Sequence, residues 1–232
     1  MSGVNGVVTG AAGALGRAVV AELVSQGHRV VAVARATEDV KAIQDAHPGA
    51  VVGEAADLTN PDAVDELWQR LDSRDEQIDF LVNAAGGFGG GSLVESNPGD
   101  YRHLLELNLD TAWWSSRAAA RRMRESGAGG AIVNVAARSG LEGGAGSIAY
   151  AVAKGAVVKL TQVLAAELKQ SGVRVNAVLP SLIDTPANRA VFSAERMAKA
   201  VPPQAIARVI AFLCSEDAWP ISGAAIPVYG RS

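Results

Sequence analysis

Cysteine occurs once in 232 residues, at Cys214, so no disulfide can form within the chain and a reducing compartment is expected. The three histidines, His28, His47 and His103, are scattered without metal-ligand spacing, so no metal is expected. Charge of one sign is also lacking: the formal net charge is −3, and the only basic cluster is the short Arg121-Arg122-Met123-Arg124. That balance leaves no electrostatic footprint for nucleic acid, and the cluster reads as a solvated helix end. No apolar run reaches membrane-spanning length, and the chain enters a strand directly after Met1-Ser2-Gly3, leaving no room for a signal peptide. The expected setting is cytoplasmic, with neither membrane nor nucleic acid as a partner. Repeats, low-complexity tails and linkers are missing as well, so residues 1–232 are expected to form a single domain.

What is present is a regular alternation of strand and helix. Strands are expected at Val4–Thr9, His28–Ala34, Ala50–Ala55, Phe80–Ala84, Ile132–Val135, Val173–Leu179 and Ala224–Tyr229. Helices are expected from about Leu15 to Gln26, Thr37 to Ala46, onward from Pro61, Pro98 to about Ser126, Ile148 to Gln170 and Ile206 to Cys214, with a short one near Ser193. This order predicts an α/β chain with a doubly wound parallel sheet of Rossmann type.

The first strand runs into Thr9-Gly10-Ala11-Ala12-Gly13-Ala14-Leu15-Gly16 and then a helix, the context of a dinucleotide-binding turn. Glycines let the backbone approach a pyrophosphate, and the helix N-terminus offers free N–H groups and a partial positive charge. The second strand ends in Ala34-Arg35, where an NAD-preferring sheet would carry an acid for the ribose hydroxyls. A neutral Ala34 followed by Arg35 suits a 2′-phosphate and favours NADP(H). Glu38 and Asp39 read as acids opening the next helix. Asp57, beside Leu58, has two readings: acceptor for the adenine amine, or opener of its own turn. The fourth strand leads through Asn83-Ala84-Ala85-Gly86 into Gly86-Gly87-Phe88-Gly89-Gly90-Gly91, which is too rich in glycine to hold one shape without a partner. That loop and residues 186–200 are expected to form a mobile rim over the substrate.

Tyr150 and Lys154 stand four residues apart, on one face of the predicted helix. An ammonium beside a phenol stabilises the phenolate, which would lower the tyrosine pKa and make its hydroxyl a usable general acid or base.

Taken together, Thr9-Gly10-x-x-x-x-x-Gly16, Asp57, Asn83-Ala84-Ala85-Gly86, Asn108, Tyr150-x-x-x-Lys154 and Pro180-x-x-x-x-Thr185 resemble the short-chain dehydrogenase/reductases along essentially the whole chain. The resemblance implies that the phosphate turn (Gly10, Gly13, Ala14, Leu15, Gly16) and the first half of the sheet bind NAD(P). It implies that Tyr150 transfers the proton, that Lys154 holds the nicotinamide ribose and tunes Tyr150, and that Asn108 fixes a water linking Lys154 to solvent. Pro180, Ile183 and Thr185 would lie against the nicotinamide. Two helices, those of Trp113-Trp114 and of Ala149, Ala153 and Ala156, would pair with their copies in a homodimer or homotetramer.

The chain departs from that family at three places. Ala14 stands where the middle glycine is usual, and Ser181 follows Pro180 where a glycine is usual. The substrate-binding serine normally found thirteen residues before the tyrosine is Ala137; Ser139 lies two residues on, and Ser147 reads as the N-cap of the helix. The segments Ala137–Gly143, Ala85–Gly91 and Leu179–Arg189 are similar to quinonoid dihydropteridine reductases, which points to Ala137, Ser139 and Phe88 as substrate-side residues. Those enzymes usually carry an acid where this chain has Ala34-Arg35. The expected function is hydride transfer between NADP(H) and a small substrate, a quinonoid dihydropterin among the candidates. The alternatives are an ordinary carbonyl or 3-oxoacyl reductase, and an NADP-binding sensor without turnover.

Overall fold

A computed structural model describes residues 5–73 and 77–231; the expected strand start at Val4 lies outside them. The chain runs β1 (Asn5–Thr9), α1 (Ala14–Ser25), β2 (Arg29–Ala34), α2 (Thr37–Ala46), β3 (Val51–Ala55), α3 (Pro61–Asp72) and β4 (Phe80–Asn83). Then come α4 (Pro98–Leu105), a π-helical turn (Glu106–Asp110), α5 (Thr111–Ser126), β5 (Gly130–Val135), α6 (Ile148–Leu168) and β6 (Val173–Pro180). The helices α7 (Pro186–Val191), α8 (Ala194–Met197) and α9 (Pro203–Cys214) precede β7 (Ala225–Val228). All described strands are parallel, in the order β3-β2-β1-β4-β5-β6-β7. The order reverses between β1 and β4, and a crevice opens there at the carboxyl ends of the strands.

Strand parity builds two cores. Val8, Val30, Ala32, Phe80, Val82 and Val133 face one layer, with Val19 and Leu23 of α1 and Ile206 and Ile210 of α9. Their neighbours Val7, Val31, Val33, Leu81 and Ile132 face the other, with Val64 and Leu67 of α3, Met123 of α5 and Ala165 of α6. Side chains that alternate across a strand, each buried, make the central strands β1, β2, β4 and β5 largely apolar on both faces.

Local signals set the helix ends. Asn60 and Asn97 accept hydrogen bonds from the amides of Asp62 and Asp100, with Pro61 and Pro98 at the first helical positions. Gly127, at φ 68°, ends α5 in the left-handed region. The single helix expected from Pro98 to Ser126 is broken by the π-helical turn, where Asn108 is buried.

Together with the 3₁₀ turn after it, α6 spans Ile148–Ser171 at mean hydropathy 1.3, long and apolar enough to cross a membrane by length and composition. This corrects the expectation that no segment reaches that length. Its stripe of Lys154, Val157, Thr161, Ala165 and Leu168 is buried, and α6 packs on β6, as a core helix does.

Candidate active site

At the β1/β4 crevice lies a cavity of about 560 Å³, lined by Gly10, Gly13, Arg35, Asp57, Leu58, Ala84, Ala85 and Gly86 among others. Gly10 has φ 63°, and a Cβ there would lie 2.6 Å from the Ala85 backbone, so only glycine lets β1 turn this tightly against the β4 loop. Gly13 is the N-cap of α1 and supplies no side-chain cap. The amides of Ala14, Leu15 and Gly16 therefore have no intrahelical acceptor and are available to an anion. These three residues do not line the cavity with side chains: Leu15 is buried in the core, and a Cβ on Gly16 would lie 2.1 Å from the Gly10 carbonyl oxygen. A strand, a left-handed glycine, an uncapped helix start and a cavity of this size fit a dinucleotide.

The far end of the cavity carries both charge signs. Arg35 and Asp39 both line it. Arg17 reaches Asp39 Oδ1 at 3.5 Å and donates through Nε to the Ala12 carbonyl at 2.9 Å. Asp57 opens its own turn: Oδ1 accepts from the Thr59 amide at 3.0 Å and the Thr59 hydroxyl at 2.7 Å. The Thr59 hydroxyl and amide, with a smaller contribution from Arg35, hold the Asp57 carboxyl below its ordinary value.

Gly86 lines the near end; Asn108 and Lys154 lie behind it and Tyr150 beside Lys154, none of the three lining the cavity itself. A Cβ on Gly86 would lie 2.8 Å from Asn108 Oδ1 and 3.2 Å from Lys154 Nζ, so the three converge. Lys154 donates to the Val135 carbonyl at 2.9 Å, and its Nζ is 5.9 Å from the centre of the Tyr150 ring. Asn108 Nδ2 donates to the Gly87 and Leu104 carbonyls, and Oδ1 accepts from the Gly87 amide. Both Asn108 amide protons are thus spent on the loop and on α4.

The electrostatics differ from expectation. Lys154 does not depress Tyr150: burial pushes the phenol up from 10.0 to about 12 and the ammonium down from 10.5 to about 8. Each group is driven toward its neutral form because few polar partners replace water around it.

Other expected site residues find different work. Asn83 follows the parity of β4 and faces α5, where Nδ2 donates to Ser116 Oγ and Asn134 Oδ1, both at 2.8 Å; its side chain does not reach the cavity. Thr185 caps α7, accepting from the Asn188 amide at 3.1 Å, while Asn188 Nδ2 donates to the Ile183 carbonyl. Ile183 bridges to Val201, and Pro180 ends β6 beside Val228; none of the three lines the cavity. Ala137 is buried at the end of β5 and Ser139 sits in the following 3₁₀ turn, Arg138–Gly140, which abuts Lys154. Ser147 is the N-cap of α6, but its hydroxyl makes no cap bond.

The glycine loop is hydrogen-bonded and packed at several points. Gly87 is paired with Asn108, Gly91 donates to the Gly146 carbonyl at 2.8 Å, and the Ile148 amide donates to Gly91. A Cβ on Gly87 or Gly89 would lie 2.7 Å from Leu107 or Leu104, so these glycines serve close approach to the adjoining helix. The 186–200 stretch holds two short helices and is largely exposed. Sequence reasoning missed Asp39, His103, Glu106, Leu107 and Thr111 as cavity residues. Asp39 was legible, since the first turn of a helix that follows a strand sits on the same sheet edge as the crevice. The other four depend on how α4, the π-helical turn and the start of α5 cross that edge, which leaves no local signal.

Comparison with known proteins agrees with this geometry. Residues 5–196 match the profile of the short chain dehydrogenase family. The chain is 35% identical over 234 residues to a meso-2,3-butanediol dehydrogenase from Serratia marcescens, covering 97% of this chain and 92% of that protein. A structure of ElxO with NADP bound superposes at TM-score 0.93 and 26% identity, covering 98% of both chains. A 3-ketoacyl-(acyl-carrier-protein) reductase from Brucella melitensis complexed with NADH superposes at TM-score 0.92 and 26% identity, covering 99% of this chain and 98% of that one. The chain belongs to the short-chain dehydrogenase/reductase family. It is an NAD(P)-dependent oxidoreductase.

The lowered Lys154 pKa predicts a pH-dependent stability. Between about 8 and 10.5 the unfolded lysine binds a proton that the folded one does not, so stability rises with pH across that window. Lys154→Met removes this dependence. The stability of wild type relative to Lys154→Met, measured by urea unfolding at a series of pH values, should rise by about 3 kcal/mol between pH 8 and 10.5. A difference independent of pH would contradict it.

Proposed function

We propose that the protein reduces a small carbonyl compound with NADPH, or oxidises the corresponding secondary alcohol, with Tyr150 moving the proton. The observation that carries this reading is the convergence of Lys154 and Asn108 at Gly86, which lines the cavity that begins at the uncapped start of α1, with the Tyr150 ring centre 5.9 Å from Lys154 Nζ. Bound there, a nicotinamide supplies the hydride to carbon or takes it back. Tyr150 gives its hydroxyl proton to the carbonyl oxygen during reduction, and Lys154 offers a positive neighbour to the phenolate that remains. The names of the relatives, a diol dehydrogenase and a 3-ketoacyl reductase, support a carbonyl or 3-oxoacyl substrate over a quinonoid dihydropterin. The pterin reading keeps one observation in its favour, Ala137 in place of the serine. Intact Tyr150, Lys154 and Asn108 speak against a sensor without turnover.

The preference for NADP(H) is supported by Arg35 and the neutral Ala34 in the cavity wall. Asp39 opposes it by presenting an acid to the same end, and Arg17 offsets part of that charge. We also infer a homo-oligomer built on α5 and α6. Ala153 and Trp114 were expected at its interface, but Ala153 is fully buried in its own subunit and Trp114 packs on its own core. Trp113, 48% exposed, and Val152, 53% exposed, are among the exposed large apolar groups these helices offer to a second copy, as are Val163 and Ile148 of α6.

Tyr150→Phe keeps the ring and removes the proton donor. Turnover of a test ketone should fall by ~10²–10⁴-fold with NADPH affinity nearly unchanged; near-normal turnover would remove the role. Arg35→Ala should weaken NADPH binding by ~10- to 100-fold and leave NADH almost untouched. Equal losses in fluorescence titrations of the two cofactors would show that Arg35 does not read the phosphate. Light scattering at low micromolar concentration should give a dimer or tetramer, dissociated by Val152→Arg. A wild-type monomer throughout that range would rule out the assembly.

A further inference from the structure

A large apolar side chain stands against the proton donor and is itself mostly in water. Phe88 meets Tyr150 edge to face, with ring centres 5.2 Å apart and planes at 70°, yet Phe88 is 68% exposed. The backbone on either side of it is fixed. Gly87 is tied in both directions to Asn108, Gly91 to Gly146 and Ile148, and Gly89 is pressed against Leu104. The loop therefore presents the Phe88 ring to solvent beside the Tyr150 ring. On the same edge of the sheet, just after β5, position 137 contributes the buried methyl of Ala137, with Ser139 in the turn that follows. Burial has already pushed the Tyr150 phenol up, the mark of an apolar surrounding.

We propose that Phe88 selects the substituent of the substrate, and that the site takes carbonyl compounds or alcohols bearing a planar apolar group, an aryl ring, next to the reacting carbon. This rests on the carbonyl reading above and adds the substrate class to it. An exposed aromatic ring held in place gains most from a flat partner, which covers its apolar face and matches its quadrupole in offset or edge contact. A small aliphatic carbonyl covers little of that face and leaves it wet. The substituent takes no part in the chemistry. The hydride adds to the carbonyl carbon, the Tyr150 proton goes to the oxygen, and the aryl ring stays on Phe88.

The test compares 1-phenylpropane-1,2-dione with butane-2,3-dione, which differ by phenyl for methyl. Wild-type enzyme with NADPH should favour the phenyl dione in kcat/KM by at least ~10-fold. Phe88→Ala should lose ~10- to 100-fold on the phenyl dione and stay within about threefold on butane-2,3-dione, with NADPH affinity unchanged. Phe88→Leu, which keeps apolar bulk without the ring, should fall between. Binding of the phenyl dione to the enzyme–NADPH complex, read by quenching of NADPH fluorescence, should weaken in the same order. If butane-2,3-dione is reduced but the phenyl dione is not preferred, the carbonyl reading stands and this inference falls. Equal losses on both diones would make Phe88 a support for Tyr150 and also overturn it. Phenyl dione binding that depends on Phe88 without turnover of either dione would keep the aryl site and remove the carbonyl reading. Neither turnover nor binding would remove both.

Discussion

The site depends on how α6 is seated on the sheet, and a buried run of hydrogen bonds fixes that seating. Thr161 donates to the Val157 carbonyl within α6, so its oxygen is left to accept from Asn134 Nδ2 on β5. Asn134 Oδ1 must then accept, and it does so from Asn83 on β4, whose second amide proton goes to Ser116 on α5. Each group sets the orientation of the next, and all of them are buried. Two turns of α6 away from Thr161, Lys154 donates to the Val135 carbonyl, next to Asn134 in the chain. Two strands and two helices are thus locked in register where Tyr150 and Lys154 must be held. An unmade bond in such a place costs about 1–3 kcal/mol, so a sliding helix would be penalised at several points together.

Close backbone approach is the second constraint, and glycine is how the chain meets it. Gly10 lets β1 turn beneath the β4 loop, and Gly140 brings the turn after β5 to the backbone of Lys154. Gly87 and Gly89 let the loop after β4 lie on Leu107 and Leu104. The residue type that frees a torsion also permits this packed wall, because a missing Cβ removes a steric barrier to packing.

Held this way, the reactive pair sits in a poorly solvated place. Burial drives the phenol and the ammonium toward neutrality, and the 5.9 Å between Lys154 Nζ and the centre of the Tyr150 ring gives no direct bond to oppose that. Charge is concentrated at the other end of the cavity, where Arg17, Arg35, Asp39 and Asp57 lie in mixed signs. The cavity is therefore ionic where a nucleotide's phosphate or ribose would rest and apolar where a reaction would take place.

The order of strands and helices was legible from local pattern alone. Alternation of Val, Ala and Ile between two buried faces, prolines after Asn60 and Asn97, and glycines at turns are set by residues within a few positions of one another. Gly10, Gly13, Arg35, Tyr150 and Lys154 could be picked out for the same reason, since each belongs to a short motif whose spacing matches one turn or one helix face. Tertiary structure alone decided which way a side chain faces and what dehydrates it. Asn83 turned from the cavity to a buried network because Leu81, two residues earlier, faces the same layer. Asp39 entered the cavity because α2 begins on the crevice edge. The pKa of Tyr150 rose where spacing had suggested a fall, because desolvation is the sum of every neighbour brought in by the fold, and a sequence interval of four residues carries only one of them.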